Sequence, residues 1–377
     1  MKKRVRIVSI GIVLIILIGI IVMNNNSNNK YSFTQDGIKY ALTLDGNKVT
    51  SFPSKGMYKV QVTCEGADGR WLYNDWKLAI ENITGDISCD IDFSTINKTN
   101  LNDFIISLSG TTQGTGKVVN EKGYRYEGKN PNNYIWFNNE YWRMIGVFDS
   151  ASHGVSGQNL VKIIRADVLD GLAWDKSNTN DWTAASLKSL LNGAYYNAQD
   201  GTSSGYCYGY STIATGNCDY TKKGIQSGYR GMIANVTWYL GGYSTSDGTT
   251  ESFYEYERGT TVYSGRPTRT TVYIGLMYPS DYGYSVLSSS CARTTNLSSY
   301  STATCAGQSW LYGKGHEWTL TPNSSNSTNV FWGNYSGKLS YGGATTGTNF
   351  RPVLYLDASV YKIDGDGSLE NPYIIGM

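Results

Sequence analysis

The stretch "YIWFNNEYWRMIGVF", residues 134–148, decides how the larger part of the chain folds. Aromatic and β-branched residues on both sides of Asn138-Asn139 favour two strands, and the two asparagines favour a tight hairpin turn. Residues 159–167, "NLVKIIRAD", predict a third strand. We therefore expect a domain that starts near residue 134 with antiparallel β-structure.

Two later stretches predict helices. In "NDWTAASLKSLLNG", residues 180–193, apolar residues recur at helical spacing, with polar residues before them and a glycine after them. The shared face holds Ala184, Leu187, Leu190 and Leu191, the candidate caps are Asp181 and Thr183, and the stop is Gly193. Residues 221–242 favour a second helix, although three glycines weaken it. The predicted class for residues 134–377 is α+β with long loops.

Composition narrows the function classes. The chain has 377 residues, 31 of them Tyr and 43 Gly, and only 16% are charged. This mixture favours strands and turns. A formal net charge of +2 gives no basic footprint, so we expect no nucleic-acid partner. The sequence has no P-loop and no G-x-G-x-x-G motif, and we expect no cofactor.

The N-terminus predicts a membrane anchor. Four basic residues lie before an aliphatic run, "IVSIGIVLIILIGIIVM", at residues 7–23. About 17 helical residues reach about 25 Å, near the lower limit for spanning a bilayer. The basic flank predicts a cytoplasmic N-terminus and a single-pass protein in the cell membrane, with the bulk of the chain extracellular. A cleaved signal peptide is the alternative.

The chain divides into four predicted parts. Residues 1–30 hold the basic end, the transmembrane helix and an Asn-rich spacer. Residues 31–99 contain runs of period two and an Asp45-Gly46 turn signal, which predict a small all-β, Ig-like module. Residues 100–133 are turn-rich and predict a linker. Residues 134–377 form the main domain.

Six cysteines indicate an oxidising environment. They fall into three local couples, Cys64 with Cys89, Cys207 with Cys218, and Cys291 with Cys305. Proximity favours these couples as disulfides, although six cysteines allow fifteen pairings. The first couple has further support, because both cysteines lie on the apolar side of their predicted strands. We expect no metal site, because there is no C-x-x-C spacing and the chain has two His.

Several segments taken in order resemble a known family. They are "NNYIWFNNEYWRMIGVF", "NDWTAASLKSLLNGAYYN", "YIGLMYPSDYGYS", "SWLYGKGHEWTLTP" and "NFRPVLYLDASV". Residues 134–377 resemble a domain of unknown function in surface proteins of Gram-positive bacteria, related to the C-type-lectin-like fold of formylglycine-generating enzymes. The resemblance implies a loop-decorated domain that displays a ligand-binding face. It does not extend to the oxidase chemistry, because the closely spaced reactive cysteines are missing.

The stretch "NVFWGNYSGKLSYGGATTGTNFRPVLYL", residues 329–356, is the best candidate for that face. Aromatic rings anchor ligands at low entropic cost, and amides provide adaptable hydrogen bonds. In relatives of the family, the segment before the final strand is the exposed one. The alternative is that Trp332 and Tyr341 fill gaps under the loops. The candidate ligand-binding residues are Trp332, Asn334, Tyr335, Lys338, Tyr341 and Asn349.

Other polar residues have weaker claims. Arg351 is expected to grip a carboxylate or a loop carbonyl in a structural role. Residues 364–370, "DGDGSLE", favour a turn over a calcium loop, because the acidic residues do not match the EF-hand spacing. Glu317 and Asp281 are conceivable partners in a glycosidase pair, which has no sequence signature. We expect no catalytic residue.

The sequence as a whole favours an extracellular recognition or adhesion protein, not an enzyme, that binds a glycan or a protein. The first alternative is a glycan hydrolase of the cell envelope whose catalytic carboxylates carry no motif. A second alternative is a structural component of the envelope.

Overall fold

The computed structural model describes residues 33–377 except residue 74, residues 210–217 and residue 314. The fold is mostly β, with 38% strand and 14% helix. The predicted α+β, C-type-lectin-like class is therefore wrong. The chain forms two compact units, which meet in the sequence between Lys98 and Thr99.

The smaller unit is built from strands. They are β1 (Phe33–Gln35), β2 (Ile38–Leu44), β3 (Asn47–Val49), β4 (Tyr58–Glu65), β5 (Asp68–Leu72), β6 (Lys77–Glu81) and β7 (Ser88–Thr95). The order in its sheet is β1-β2-β7-β4, with β3 also paired to β2, and β5 and β6 form a separate ribbon. The Asp45-Gly46 turn joins β2 to β3 as predicted.

The predicted Ig-like sandwich is not what this unit forms. The central strands β2 and β7 run parallel, whereas Ig sheets are antiparallel. The disulfide Cys64–Cys89 joins residues that lie directly opposite each other on β4 and β7. Its core is aromatic, with Trp71, Tyr40 and Phe93 all buried.

The larger unit contains many short strands. They are β8 (Thr99–Asn100), β9 (Thr112–Gln113), β10 (Gly116–Asn120), β11 (Tyr124–Gly128), β12 (Tyr134–Phe137), β13 (Glu140–Phe148), β14 (Leu160–Arg165), β15 (Leu169–Leu172), β16 (Val236–Tyr239), β17 (Arg269–Val272), β18 (Ile274–Gly275), β19 (Glu317–Pro322), β20 (Asn329–Gly333), β21 (Leu339–Gly343), β22 (Thr348–Phe350), β23 (Val353–Tyr355), β24 (Tyr361–Asp364) and β25 (Tyr373–Gly376). Its α-helices are α1 (Leu101–Ser107), α2 (Ser150–His153), α3 (Ser186–Leu190), α4 (Ser227–Arg230), α5 (Thr250–Arg258) and α6 (Pro279–Tyr284). Short 3₁₀ turns cover Leu297–Ser299 and Ala306–Gln308.

Two sheets organise the larger unit. The main sheet has the order β18-β23-β14-β13-β12-β25-β24-β8, and β11, β10 and β9 extend it from β13. The second sheet has the order β15-β22-β19-β20-β21, and β16 pairs with β17 on its own. The hairpin β12–β13 lies within the main sheet. Its Ile135, Phe137 and Trp142 are fully buried, which explains the alternating aromatic pattern of the sequence.

Both predicted helices need correction. Residues 180–193 yield α3, but it begins only after Ala185 and continues past Gly193 as a π-helical turn, Leu191–Tyr195. The predicted second helix shrinks to the four residues of α4. Residues 236–239, "VTWY", form strand β16 instead, because β-branched and aromatic residues suit a strand paired to β17.

The predicted linker is an ordered part of the larger unit. Residues 100–133 contain α1 and strands β9 to β11. Leu101, Ile105, Val118 and Tyr126 are buried in the core of this unit. Many turn residues between these short elements conceal their apolar pattern in the sequence.

The predicted transmembrane helix, residues 7–23, and the bilayer contact expected of it lie outside the described residues. In the part of the chain that is described, no helix is both long enough and apolar enough to cross a bilayer. The predicted single-pass topology is corrected accordingly, since it finds no support in the structure.

A buried cluster of charges joins three elements of the larger unit. Asp281 of α6 accepts hydrogen bonds from Arg125 Nη1 at 2.9 Å and from Lys162 Nζ at 2.5 Å. The backbone N–H of Tyr278 donates a third, at 3.0 Å. Burial raises the pKa of Asp281, but the charges of Lys162 and Arg125 outweigh burial and lower it to about 2. The carboxylate therefore stays ionised in the core and links α6 to β11 and β14.

We expect Asp281→Asn to reduce the free energy of unfolding by about 3–5 kcal/mol near pH 7, because it leaves two cations buried without a carboxylate. The folded-state pKa of Asp281 is lower than the unfolded value of about 3.9, so its contribution exists above about pH 4 and is lost as the pH falls towards 2. Denaturant unfolding between pH 2 and pH 7 measures both effects.

The control for this prediction is Asp103→Asn, which changes an exposed carboxylate in the first turn of α1. It should alter the free energy of unfolding by less than about 0.5 kcal/mol. Equal stability of wild type and Asp281→Asn at pH 7 would show that the cluster does not hold α6 in place.

Candidate functional site

The larger unit contains a cavity of ≈ 470 Å³. This volume lies within the range of roughly 300–1,000 Å³ that is usual for small-molecule sites. We call it the tyrosine–arginine cavity. It is lined by Tyr134, Tyr141, Arg143, Ala166, Asp167, Val168, Trp310, Tyr312, Gly313, Arg351 and Leu369.

The register of the β12–β13 hairpin positions three of the lining residues. Tyr134 lies opposite Arg143, and Trp136 lies opposite Tyr141. Directly opposed residues point to the same face of a sheet, so these four side chains share the face away from the buried Ile135. The hairpin therefore supplies the core with one face and the cavity with the other.

Arg143 is held rigidly beside the cavity and is only 7% exposed. Its Nε donates to Asn133 Oδ1 at 2.8 Å, and Nη2 donates to the Pro131 carbonyl at 3.2 Å. The guanidinium carbon lies 4.3 Å from the ring centroid of Tyr134 and 4.6 Å from that of Trp310. These contacts fix the orientation of the guanidinium, while Nη1 donates to no described residue.

Burial lowers the pKa of Arg143 to about 10, with Tyr134 opposing the shift and the positive charge of Arg351 adding to it. Arg143 thus remains charged at neutral pH. No described carboxylate forms an ion pair with it, and its nearest fixed partners are amide oxygens and ring faces. A buried cation without an anion is unusual and points to a functional role.

Arg351, 4% exposed, is the second arginine of the cavity. Its Nε donates to Glu317 Oε1 at 2.6 Å, and Nη2 donates to Glu317 Oε2 at 2.9 Å and to the Leu311 carbonyl at 2.6 Å. This confirms the structural role that the sequence predicted. A Cβ on Gly313 would lie 2.2 Å from Glu317 Oε2, so only glycine fits above this pair. Nη1 of Arg351 is left without a described partner.

Another arginine, Arg165, holds the part of the cavity lining formed by residues 166–168. Arg165 binds Glu140 through Nε at 2.9 Å and Nη2 at 2.6 Å. Its Nη1 donates to the carbonyl groups of Asp167 and Val168, at 2.9 and 3.3 Å. The backbone of this wall is thereby anchored to strand β14, and the Asp167 side chain lies exposed at the rim.

The predicted ligand residues lie mostly on the β20–β21 hairpin. Trp332 is opposite Ser340, whereas Tyr341 is opposite Phe331, so the two rings point to opposite faces. Trp332 is half-buried against Trp318, with ring centroids 5.0 Å apart. Tyr341 is 40% exposed and contacts Phe331 edge-on. The structure therefore does not bring Trp332 and Tyr341 together on one surface.

The other candidate ligand residues differ in how far they are exposed. Tyr335 is 69% exposed, at the tip of the hairpin, and His316 lies between its ring and that of Trp332. Lys338 is exposed, and Asn349 is half-buried next to β19. Tyr312 connects this area to the cavity, because its hydroxyl donates to the Tyr335 carbonyl.

The carboxylates proposed for a hydrolase are occupied. Glu317 is bound to Arg351, and Asp281 lies in the buried cluster of charges. His153 is buried, with Nε2 against the Phe148 carbonyl and Nδ1 accepting from Val155 N–H, and burial lowers its pKa. Among the described residues, no group of three or more acidic, His or Cys side chains is arranged to hold a metal ion.

Sequence reasoning missed Arg143 and the tyrosines of β12 and β13 as site residues. One signal was available, since Tyr134, Tyr141 and Arg143 alternate along the sequence with the apolar residues Ile135, Trp142 and Met144. The three pairs of cysteines predicted from spacing do form disulfides, Cys64–Cys89, Cys207–Cys218 and Cys291–Cys305.

No protein-family model, curated protein or solved structure matches this chain. The resemblance to a surface-protein domain therefore stays a prediction. A function for the chain has to be argued from the chemistry of its site.

Asn334 provides a test of whether the β20–β21 turn is structural. Its Oδ1 accepts from Ser336 N–H, Ser336 Oγ–H and Lys338 N–H at 3.0, 2.7 and 3.0 Å. We expect Asn334→Ala to destabilise the turn by about 1–2 kcal/mol, because these bonds lose their acceptor. Amide hydrogen exchange at Ser336 and Lys338 should become faster.

The matched control is Asn334→Asp, which keeps the accepting oxygen and should keep both amides protected. If the alanine variant exchanges as slowly as wild type, Asn334 does not hold the turn, and its amide is free for a ligand as the sequence predicted.

Proposed function

We propose that this chain is an extracellular recognition protein whose larger unit binds its ligand, without catalysis, in the tyrosine–arginine cavity. The observation that carries the proposal is a cavity of ≈ 470 Å³ that combines aromatic rings with two arginines more than nine-tenths buried. Aromatic and arginine side chains are the residue types that most often dominate binding energy.

The rigidity of the cavity supports a binding role. Arg143, Arg351 and Arg165 are each fixed by at least two hydrogen bonds to the protein. A ligand therefore meets side chains that are already ordered, and binding costs little conformational entropy. The three disulfides are consistent with an extracellular or secreted protein, where an ordered recognition surface has to persist.

The hydrolase alternative has weaker support. Hydrolysis of a glycoside ordinarily needs two carboxyl groups on either side of the bond that breaks. Among the described residues that line the cavity, Asp167 alone has a carboxylate. The buried Glu317 contacts the lining residue Arg351, which binds it through both oxygens.

We expect Tyr141→Ala to weaken ligand binding by about tenfold, or about 1.4 kcal/mol, because Tyr141 is an exposed ring at the cavity. The measurement is binding of the full chain to a broad panel of glycans and surface proteins, followed by titration of each hit.

Tyr341→Ala is the matched control, because Tyr341 has nearly the same exposure, 40% against 37%, and does not line the cavity. It should leave affinity unchanged. The opposite result, with binding lost in Tyr341→Ala and kept in Tyr141→Ala, would move the site to the β20–β21 hairpin. A chain that binds nothing on the panel would contradict the proposal.

A further inference from the structure

The charges around the tyrosine–arginine cavity do not balance. Arg351 is neutralised by Glu317, which binds it through both carboxylate oxygens. Arg143 has no ion-pair partner among the described residues, although it is only 7% exposed. The one acidic lining residue, Asp167, is exposed to solvent at the rim. Among the described lining residues, the buried Arg143 therefore has a positive charge that no carboxylate compensates. The negative charge of Asp167 is exposed and screened by solvent and salt.

Both arginines have a donor to spare. Arg143 uses Nε and Nη2, and Arg351 uses the same two atoms, so each Nη1 has no described acceptor. Arg125 and Arg258 have fully buried nitrogen atoms that lack a hydrogen-bond partner. The Nη1 atoms of Arg143 and Arg351 are not among these buried, unpartnered atoms. The charge of Arg351 acts on Arg143, which indicates that the two guanidinium groups are near each other. We expect an anion placed between them to accept from both Nη1 atoms.

The tyrosine rings of the cavity indicate the shape and polarity of the rest of the ligand. Tyr141 is exposed and Tyr312 is half-buried at the cavity, and the other lining residues near them are small or apolar, such as Gly313 and Ala166. Tyrosine offers a flat apolar face and a polar edge, which suits a compact ring that is itself apolar on its faces and hydroxylated on its edges. A volume of ≈ 470 Å³ suits one or two such rings.

We infer that the cavity binds an acidic saccharide, with a sugar carboxylate received by Nη1 of Arg143 and Arg351 and the sugar ring packed against Tyr141 and Tyr312. This inference rests on the proposed function and specifies its ligand class. Charge-assisted bonds from arginine to a carboxylate are the strong polar contacts of such a site. The ligand supplies the negative charge that the described surroundings of Arg143 lack.

The first experiment compares each acid with its methyl ester, which removes the negative charge and adds one methyl group. The full chain is titrated with oligosaccharides that end in glucuronate, galacturonate or a sialic acid, and with their methyl esters. We expect an acid to bind at least tenfold more tightly than its ester, and its affinity to fall as salt is added. Free monosaccharide acids, tested alongside, show whether the chain end alone is recognised.

The second experiment removes the negative charge of Asp167. Asp167→Asn removes a repulsive carboxylate from an exposed position, so it should tighten binding of the acidic saccharide severalfold and leave a neutral sugar unaffected. The matched control is Asp103→Asn, an exposed residue that does not line the cavity, and it should change neither affinity. Arg143→Lys should weaken acid binding at least tenfold. If that variant does not fold, the ester comparison and Asp167→Asn still decide.

The outcomes separate this inference from the proposed function. Equal binding of acid and ester, with Tyr141→Ala still harmful, would overturn the acidic ligand and keep the cavity as a binding site. Binding of a peptide carboxylate in place of any sugar would likewise overturn the saccharide. Loss of all binding to the cavity would reject both.

Discussion

The register of the β12–β13 hairpin is the constraint on which the larger unit depends. Asn138 and Asn139 both adopt positive φ angles, 58° and 59°, as a tight two-residue hairpin turn requires. This turn places Tyr134 opposite Arg143 and thereby decides which residues face the core. A slip of one residue would move the core residues to the cavity and Arg143 into the core. The turn thus specifies the fold and the candidate site together.

The local signals in the sequence predicted local structure well. Asn138-Asn139 and Asp45-Gly46 mark the turns of real hairpins, because only a few residue types tolerate those backbone angles. The cysteines that are close in sequence are the ones that pair. Short loops bring such residues together at little entropic cost. The second predicted helix was wrong because pairing with β17 outweighed the helical spacing of its apolar residues.

The cavity was beyond the reach of such signals. Its walls come from residues 134–143, 166–168, 310–313, 351 and 369, which are distant in the sequence and meet only in the folded unit. Reasoning from composition singled out the aromatic stretch at residues 329–356, and composition cannot show which face a ring occupies. The pairing of β20 with β21 puts Trp332 and Tyr341 on opposite faces, and that pairing is a property of the sheet.

The two arginines of the cavity differ in one respect that separates a candidate binding residue from a structural ion pair: only Arg351 has a carboxylate partner among the described residues. Arg351 has a carboxylate of its own, so removal of any ligand leaves its charge compensated. Arg143 is held just as firmly, but by amide and carbonyl oxygens and by two rings, which orient a guanidinium without neutralising it. If Arg143 served only to fasten the loop at residues 130–133, a neutral donor could make the same hydrogen bonds without the cost of burying a charge. Among the described residues nothing neutralises this charge, and that is the physical basis for the proposal that Arg143 meets a ligand.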